Sequence, residues 1–471
     1  MVEQTATADV VIAGSGAGGA AVAGALLKQG LVVTIVEAGG LARHPAGSHV
    51  RNDMPHEEDL PSIGAALDKA LAFPGMTEEP PGELTELKVI YGVGGMFSYW
   101  TCNCPEPHPA ELSPCLAPTD WQRLLNRARN LLGVNTDLGR GSLRQERIIS
   151  RVSEVVGPLG EGRGVQPMPI AAQNCSSGPH FASADSLLGP EASADRLTVL
   201  PDMIARKVLH RGRRAVGLEA YPTGGGPPTT IVADTVVVAC GTPGTPQLLV
   251  ASDVDAGPGL GRGIFDHPAI GSRIVLRSDI LDGVSSNDPL FTVWIPFAPE
   301  RPWHNQVVRF PANPGPVDFP VGGRNTADVF TFVSIDVNPE NRFEFSPDKP
   351  DRLGLPTIGA RYRLSDDDRR RIGAGLDEHF RIAAAVGDVE KYRWVPVFYG
   401  PGWSTHMMGG CGMGSRDDGS SVVDPTGRLW RYDNLYVAGN SVHSTSNAGN
   451  PTPITIAFAL NTADAIVARR H

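Results

Sequence analysis

The chain has 471 residues, 41% of them hydrophobic and 20% charged, the proportions of a water-soluble globular protein with a length that calls for more than one core. Its 51 acidic residues outnumber 41 basic ones for a net charge of −10, and the Lys and Arg residues are dispersed, which disfavours nucleic acid and anionic membrane as partners. A membrane span is not expected, for want of a run of about 18 apolar residues. A first strand starting by about Ala8 leaves no room for a cleavable leader, so a cytoplasmic protein is expected.

In chain order, Val10-Val11-Ile12-Ala13 predicts a buried strand, Gly14-Ser15-Gly16-Ala17-Gly18-Gly19 a tight turn, residues 20–29 a helix, and Leu31-Val32-Val33-Thr34-Ile35-Val36 a second strand ending on Glu37. This arrangement holds a dinucleotide. Gly14 permits the turn, Gly16 and its neighbours Ala17 and Gly18 let the backbone approach the phosphates, and Gly19 lets the helix pack on the sheet. Free N–H groups and the positive dipole end at the helix start favour the pyrophosphate. Glu37 is placed to accept hydrogen bonds from the adenosine ribose, and an acid there argues against a 2′-phosphate. The turn alone does not distinguish NAD from FAD.

Residues 40–85 carry many Pro, His and acidic side chains with little periodicity and read as a surface loop or lid. Six cysteines, Cys102, Cys104, Cys115, Cys175, Cys240 and Cys411, do not make a disulfide framework in so long a chain. Cys102-Asn103-Cys104 lacks a second ligand cluster and reads as buried thiols, so no metal is expected. Further strands of the first sheet are predicted at 197–200, at 205–210 and 214–220 around a Gly-Arg turn, at 235–240 before Gly241, and at 434–438 before Gly439 and Asn440. Residues 265–363 contain short alternating segments between Pro, Gly and Asn, which predicts an antiparallel sheet with one solvated face, bearing the substrate. Ser365-Asp366-Asp367-Asp368 caps a helix to about Ala385, and a last helix covers residues 452–469. The fold class is therefore α/β, a Rossmann-like nucleotide-binding domain with an interleaved antiparallel-sheet domain.

The loop Tyr91-Gly92-Val93-Gly94-Gly95-Met96-Phe97-Ser98-Tyr99-Trp100-Thr101-Cys102 resembles the flavin loop of the glucose-methanol-choline (GMC) oxidoreductases, and more narrowly that of pyranose oxidases. Ser183-Ala184-Asp185 with Leu188-Gly189-Pro190, Val238-Ala239-Cys240-Gly241, Gly259-Leu260-Gly261-Arg262 with Asp266-His267-Pro268, and the last 70 residues extend the resemblance over nearly the whole chain. It implies FAD in an architecture like that of p-hydroxybenzoate hydroxylase. Residues 1–110, 196–268 and 401–471 would bind the cofactor, and residues 111–195 and 269–400 the substrate. Cofactor contacts are implied for Gly94, Gly95, Met96, Thr101, Asn103, Gly241, Pro451 and Thr452, for Val208 at adenine through its backbone, and for Asn440 at the pyrophosphate. Tyr99 stands where many pyranose oxidases carry the histidine bonded to the flavin, so noncovalent FAD is expected. The chain is also shorter than the fungal enzymes, which suits a monomer or a small homo-oligomer.

His406, in Ser404-Thr405-His406-Met407-Met408-Gly409-Gly410, and Asn450, in Asn447-Ala448-Gly449-Asn450-Pro451-Thr452, resemble the catalytic pair of this family. Oxidising a carbinol moves a hydride from carbon to flavin N5 while a base takes the hydroxyl proton, a task suited to a neutral imidazole. Asn450 would orient the substrate oxygen. Prolines at 451 and 453 suit an opening helix whose N-terminus would stabilise negative charge on the reduced flavin. His443 is a lesser candidate for the active site, and His267 reads as structural. The expected activity is oxidation of a secondary ring hydroxyl of a sugar or glycoside, at C2 or C3, with O2 reoxidising the flavin and giving H2O2. The alternatives are a dehydrogenase using a quinone or other acceptor, an oxidase of amino sugars or glycosides in specialised metabolism, a flavoprotein lyase, a non-catalytic nucleotide binder and an NAD-linked dehydrogenase.

Overall fold

The computed structural model describes residues 4–41, 45–53, 83–84, 87–176, 178–193, 195–289, 291–308, 325–388 and 396–470, so most of the loop expected at 40–85 lies outside the described residues. The strand β1 (Gln4–Ala13) ends in four fully buried residues, Val10 to Ala13. It pairs in parallel with β2 (Val33–Val36) on one side and with Thr229–Val238 on the other. Leu197–Leu200 extends the sheet beyond β2. On the far side the long strand Thr229–Val238 forks. Its first half pairs with the antiparallel hairpin Met203–Arg211 and Arg214–Pro222, and its last three residues pair in parallel with Leu435–Val437.

Between β1 and β2 runs α1 (Ala17–Leu27), which is apolar on all sides because it is covered on all sides, packing against the C-terminal helix Thr452–Ala468 and the short helix Ala184–Leu188. Such close approach depends on small residues. A Cβ at Gly19 would overlap the carbonyl oxygen of Gly14, so the helix sits as near the turn as a backbone can.

The second sheet has the strand order Val397–Tyr399, Ala269–Val275, Thr326–Val333, Trp303–Val308, Thr292–Ile295, Gln166–Pro167, and its pairs are antiparallel. The expected solvated face is not there. Every residue of Thr292–Ile295, Trp303–Val308 and Thr326–Val333 is buried. One face, with Val293, Ile295, Val307, Ala327 and Val329, packs against the helices Leu143–Val156 and Asp366–Val386. The opposite face carries His304 opposite Phe332 and Gln306 opposite Phe330, and it closes over the site instead of meeting water. Of the polar residues along these strands Gln306 faces the cavity, while Asn305 bonds Thr331 and Asp328 bonds Arg273 inside the protein, a pattern indistinguishable in sequence from one that faces solvent.

Asp366–Val386 begins as expected. Ser365 Oγ accepts from Asp368 N at 3.0 Å, and Ser365 N donates to Asp368 Oδ2 at 2.8 Å, a reciprocal cap. Among the described residues no helix is long and apolar enough to cross a membrane.

Candidate active site

A cavity of about 760 Å3 extends from the glycine turn after β1 to the inner face of the antiparallel sheet. Gly14, Gly16, Ala17, Gly18 and Glu37 line one end, and Gly95, Met96, Tyr99, Thr101, Asn103, Gly241, Asn440, Pro451 and Thr452 line its length. The N-cap of α1 is Gly16, with no side-chain cap, no acid in the first turn and open space where a side chain would stand. The helix Thr452–Ala468 likewise starts without a side-chain cap or an acid in its first turn. Two helix starts with no side-chain cap and no acid in the first turn suit a phosphate-bearing, electron-accepting cofactor.

Three predicted cofactor contacts do not line the cavity. Gly19 is used up in packing α1 on the turn. Gly94 donates its N–H to Ser15 Oγ at 2.9 Å, which ties the flavin-type loop to the glycine turn. Val208, expected at adenine, is fully buried and its N–H goes to Ser252 Oγ at 2.7 Å, while Ile204 and Ala205 earlier in the same strand line the cavity. Glu37 has a role the sequence did not reveal. Its carboxylate accepts from Ser15 N (3.1 Å), Ser15 Oγ (2.7 Å), Gly39 N (3.0 Å) and Gly92 N (3.2 Å), clamping the turn and the loop together. Burial pushes its carboxyl above the usual range, and those four donors oppose the rise.

At the other end, His406 and Asn450 meet as expected, with Asn450 Nδ2 3.3 Å from His406 Nε2. They belong to a longer chain of hydrogen bonds. His267 Nδ1 lies 3.0 Å from the carbonyl oxygen of Asn447, and His267 Nε2 lies 2.7 Å from His406 Nδ1. A carbonyl only accepts, so His267 Nδ1 carries a proton and, in the neutral ring, Nε2 does not. His406 Nδ1 must then donate to it, which leaves the lone pair on His406 Nε2 facing Asn450. The amide of Asn450 therefore presents its N–H2 to His406 and its oxygen to Gln306 Nε2 at 2.9 Å, while Gln306 Oε1 accepts from Asn103 Nδ2 at 2.7 Å. Five hydrogen bonds run in one direction from Asn103 to a backbone carbonyl.

The segment bearing His406 is fixed by the motif Asp266-His267. Asp266 accepts from Gly402 N (2.7 Å) and Ser404 Oγ (2.5 Å), and Ser404 Oγ in turn accepts from His406 N (3.0 Å). Thr405 takes a left-handed conformation, φ 61°, just before the base. Gly409 follows at φ +87°, where a Cβ would collide with the carbonyl of Gly263. On the other side, buried Glu111 accepts from Ala448 N (2.9 Å) and Gly449 N (3.3 Å) and so holds the loop that presents Asn450. Burial pulls the imidazoles of His406, His267 and His304 below the ordinary value, and mutual repulsion adds to the effect at His406 and His304. His406 is thus a neutral imidazole.

His267, expected to be structural, hydrogen-bonds His406. Gln306, Asp266 and Glu111 were missed because their partners lie far away in sequence. His443 does not line the cavity; its Nε2 lies 2.9 Å from Thr455 Oγ1, and Thr455, which lines the cavity, bonds Asn440. Cys102 and Cys104 are buried thiols, with Cys102 pushed up to about 12 by burial.

A nucleotide-type parallel sheet, two uncapped helix starts on one cavity and a neutral imidazole at its far end fit a flavin-type oxidoreductase. The chain belongs to the GMC oxidoreductases, whose N-terminal part matches residues 140–269 and whose C-terminal part matches residues 338–459. It is therefore an FAD-dependent oxidoreductase acting on CH–OH groups. It is 30% identical to the C-glycoside 3-oxidase of Arthrobacter globiformis over 97% of this chain and 94% of that one. It is 28% identical to the pyranose 2-oxidase of Tricholoma matsutake, over 80% of this chain and 72% of that one. Among solved structures, pyridoxine 4-oxidase from Mesorbium loti shares the fold, with a TM-score of 0.67, 18% identity and coverage of 98% of this chain and 99% of that one.

Proposed function

We propose that this enzyme oxidises a secondary ring hydroxyl of a sugar or glycoside, at C2 or C3, to a ketone, and that O2 takes up the electrons to give H2O2. The observation that carries the reading is the bare Nε2 of His406 beside the Asn450 amide on a cavity wall. The names of the relatives, a C-glycoside 3-oxidase and a pyranose 2-oxidase, support the choice of substrate.

Bound FAD supplies the hydride acceptor. Gly14, Gly16, Ala17 and Gly18 would hold its pyrophosphate, with Asn440 beside them, and Glu37 the ribose end. Gly95, Met96, Thr101, Gly241, Pro451 and Thr452 would surround the rest of the cofactor, and Tyr99 leaves it noncovalent. His406 Nε2 accepts the hydroxyl proton. Once it is protonated, Nε2–H and the Asn450 N–H can no longer bond each other, so the amide is released to hold the substrate oxygen. Gln306 and Asn103 limit how far that amide turns. The ring of Phe332, 6.1 Å from His406, with Phe330 and the stacked pair Tyr399 and Trp403, forms an apolar wall that keeps water from the base.

The test is anaerobic mixing of the FAD-loaded enzyme with a panel of free sugars and glycosides, read as loss of the oxidised flavin absorbance, followed by admission of air and measurement of peroxide. Bleaching with at least one compound and one peroxide per ketone is expected. An unbleached flavin with every compound overturns the substrate class, and bleaching without peroxide replaces O2 by another acceptor.

A further inference from the structure

The Asp266-His267 pair sits where the family resemblance assigned no chemistry, yet His267 has direct contact with the base. We propose that His267, by accepting the Nδ1–H of His406, keeps the Nε2 lone pair of His406 turned toward substrate and, once Nε2 has taken a proton, shares the positive charge through that Nδ1–H bond. The inference rests on the proposed alcohol oxidation.

An isolated imidazole exists in two neutral tautomers, and the one with hydrogen on Nε2 cannot take a proton there. At this site the choice is made from behind. Asn447 is held through the loop anchored by Glu111, its carbonyl fixes the protonated nitrogen of His267, and the remaining nitrogen of His267 can only accept. The 2.7 Å separation from His406 Nδ1 is that of a strong N–H···N bond. In the reaction the substrate O–H bond breaks and its proton forms a bond to His406 Nε2, while the hydride on the adjacent carbon passes to FAD. The positive charge left on His406 is then spread along the bond to His267. Few other charges face the pair. Asp266 lies beside His267 on the same segment, His304 faces it from Trp303–Val308, and Phe332 fills the space between the rings at 5.4 Å from His267 and 5.2 Å from His304. Asp266 is placed to stabilise a cation on His267 that His304 disfavours. His267 is a positioning residue, since its side chain reaches the base and not the cavity.

Two variants and one spectroscopic measurement test this. His267→Phe keeps a ring but removes the acceptor; His267→Gln restores an acceptor oxygen. Flavin reduction in His267→Phe is expected to slow about 100-fold, as a mis-set tautomer or a lost base contribution does, with its acid limb moved, and His267→Gln is expected to return to within about 10-fold. In holoenzyme labelled with 15N-histidine, the ring signal lost in His406→Ala should show a protonated Nδ1 and a bare Nε2, and should become a tautomer mixture in His267→Phe. A wild-type His406 protonated on Nε2 overturns the proposal whatever the kinetics. So does a His267→Phe enzyme that matches wild type in rate and pH profile, or one that is slow with the His406 tautomer unchanged. If wild-type flavin is reduced by no sugar or glycoside, the proposed function fails, and the nitrogen spectrum still reports on the histidine pair.

Discussion

His406 is poised by neighbours that cannot be exchanged one at a time, since each amide in the chain is oriented by the next. His406→Ala is expected to slow flavin reduction by about 100-fold or more while FAD stays bound, as stopped-flow absorbance will show. Gln306→Leu leaves Asn450 Oδ1 buried without its donor, and a loss of about 10-fold in kcat/KM is expected, about 1.4 kcal/mol and so at the lower end of the 1–3 kcal/mol of an unmade buried bond. Burial lowers the imidazole of His406, so its basic form persists as pH falls. The acid limb of kcat/KM should therefore lie below about 6.5, the ordinary histidine value, and a limb at or above it would contradict the buried environment. His406 and Asn450 were legible in the sequence because each sits in a distinctive glycine- or proline-marked segment. Asp266-His267 was not, because its meaning depends on a ring 139 positions away that no local pattern announces.

At the scale of elements, two glycines of one turn separate folding from ligand binding. Gly16 has extended-to-cap geometry, φ −65°, and open space around it, whereas a side chain at Gly19 has nowhere to go. Gly16→Ala is expected to fold with unchanged urea midpoint and to bind FAD more weakly, because the methyl takes space that the phosphates need. Gly19→Ala should lose about 1–3 kcal/mol of stability even without cofactor, the usual cost of overpacking. The reverse result, an unstable Gly16→Ala and a stable Gly19→Ala, would mean that the turn is arranged differently. β1, α1 and β2 could be read from sequence since their apolar runs and the glycine turn are contiguous. The alternating segments expected within 265–363 include residues of the strands Trp303–Val308 and Thr326–Val333, but nothing in them announced their environment. Alternation reports two different faces without saying what lies on each, and here one of them, with Gln306, Phe330 and Phe332, is walled in by the site.

For the molecule as a whole, the buried neutral histidines set the response to acid. Burial pulls His443 down to about 3 and His379 down to about 4. The unfolded chain binds protons at these groups from about pH 6.5 downward and the folded chain does not, so stability falls with pH at up to about 1.4 kcal/mol per unit for each group. Glu37, Glu111 and Asp266, raised by burial, oppose this, since the folded state protonates them first. A falling melting temperature between pH 6.5 and 4 is expected, with a shallower slope in His443→Leu; a flat or rising profile would show that the carboxyls prevail. The forked strand Thr229–Val238 carries a consequence for how the enzyme is made. Its last residues pair with Leu435–Val437, and α1 rests against Thr452–Ala468, so a chain emerging from the ribosome holds an apolar, half-paired edge through the synthesis of some 200 further residues. Flavin capture therefore waits until Asn440, Pro451 and Thr452, which complete the cavity wall, have been made.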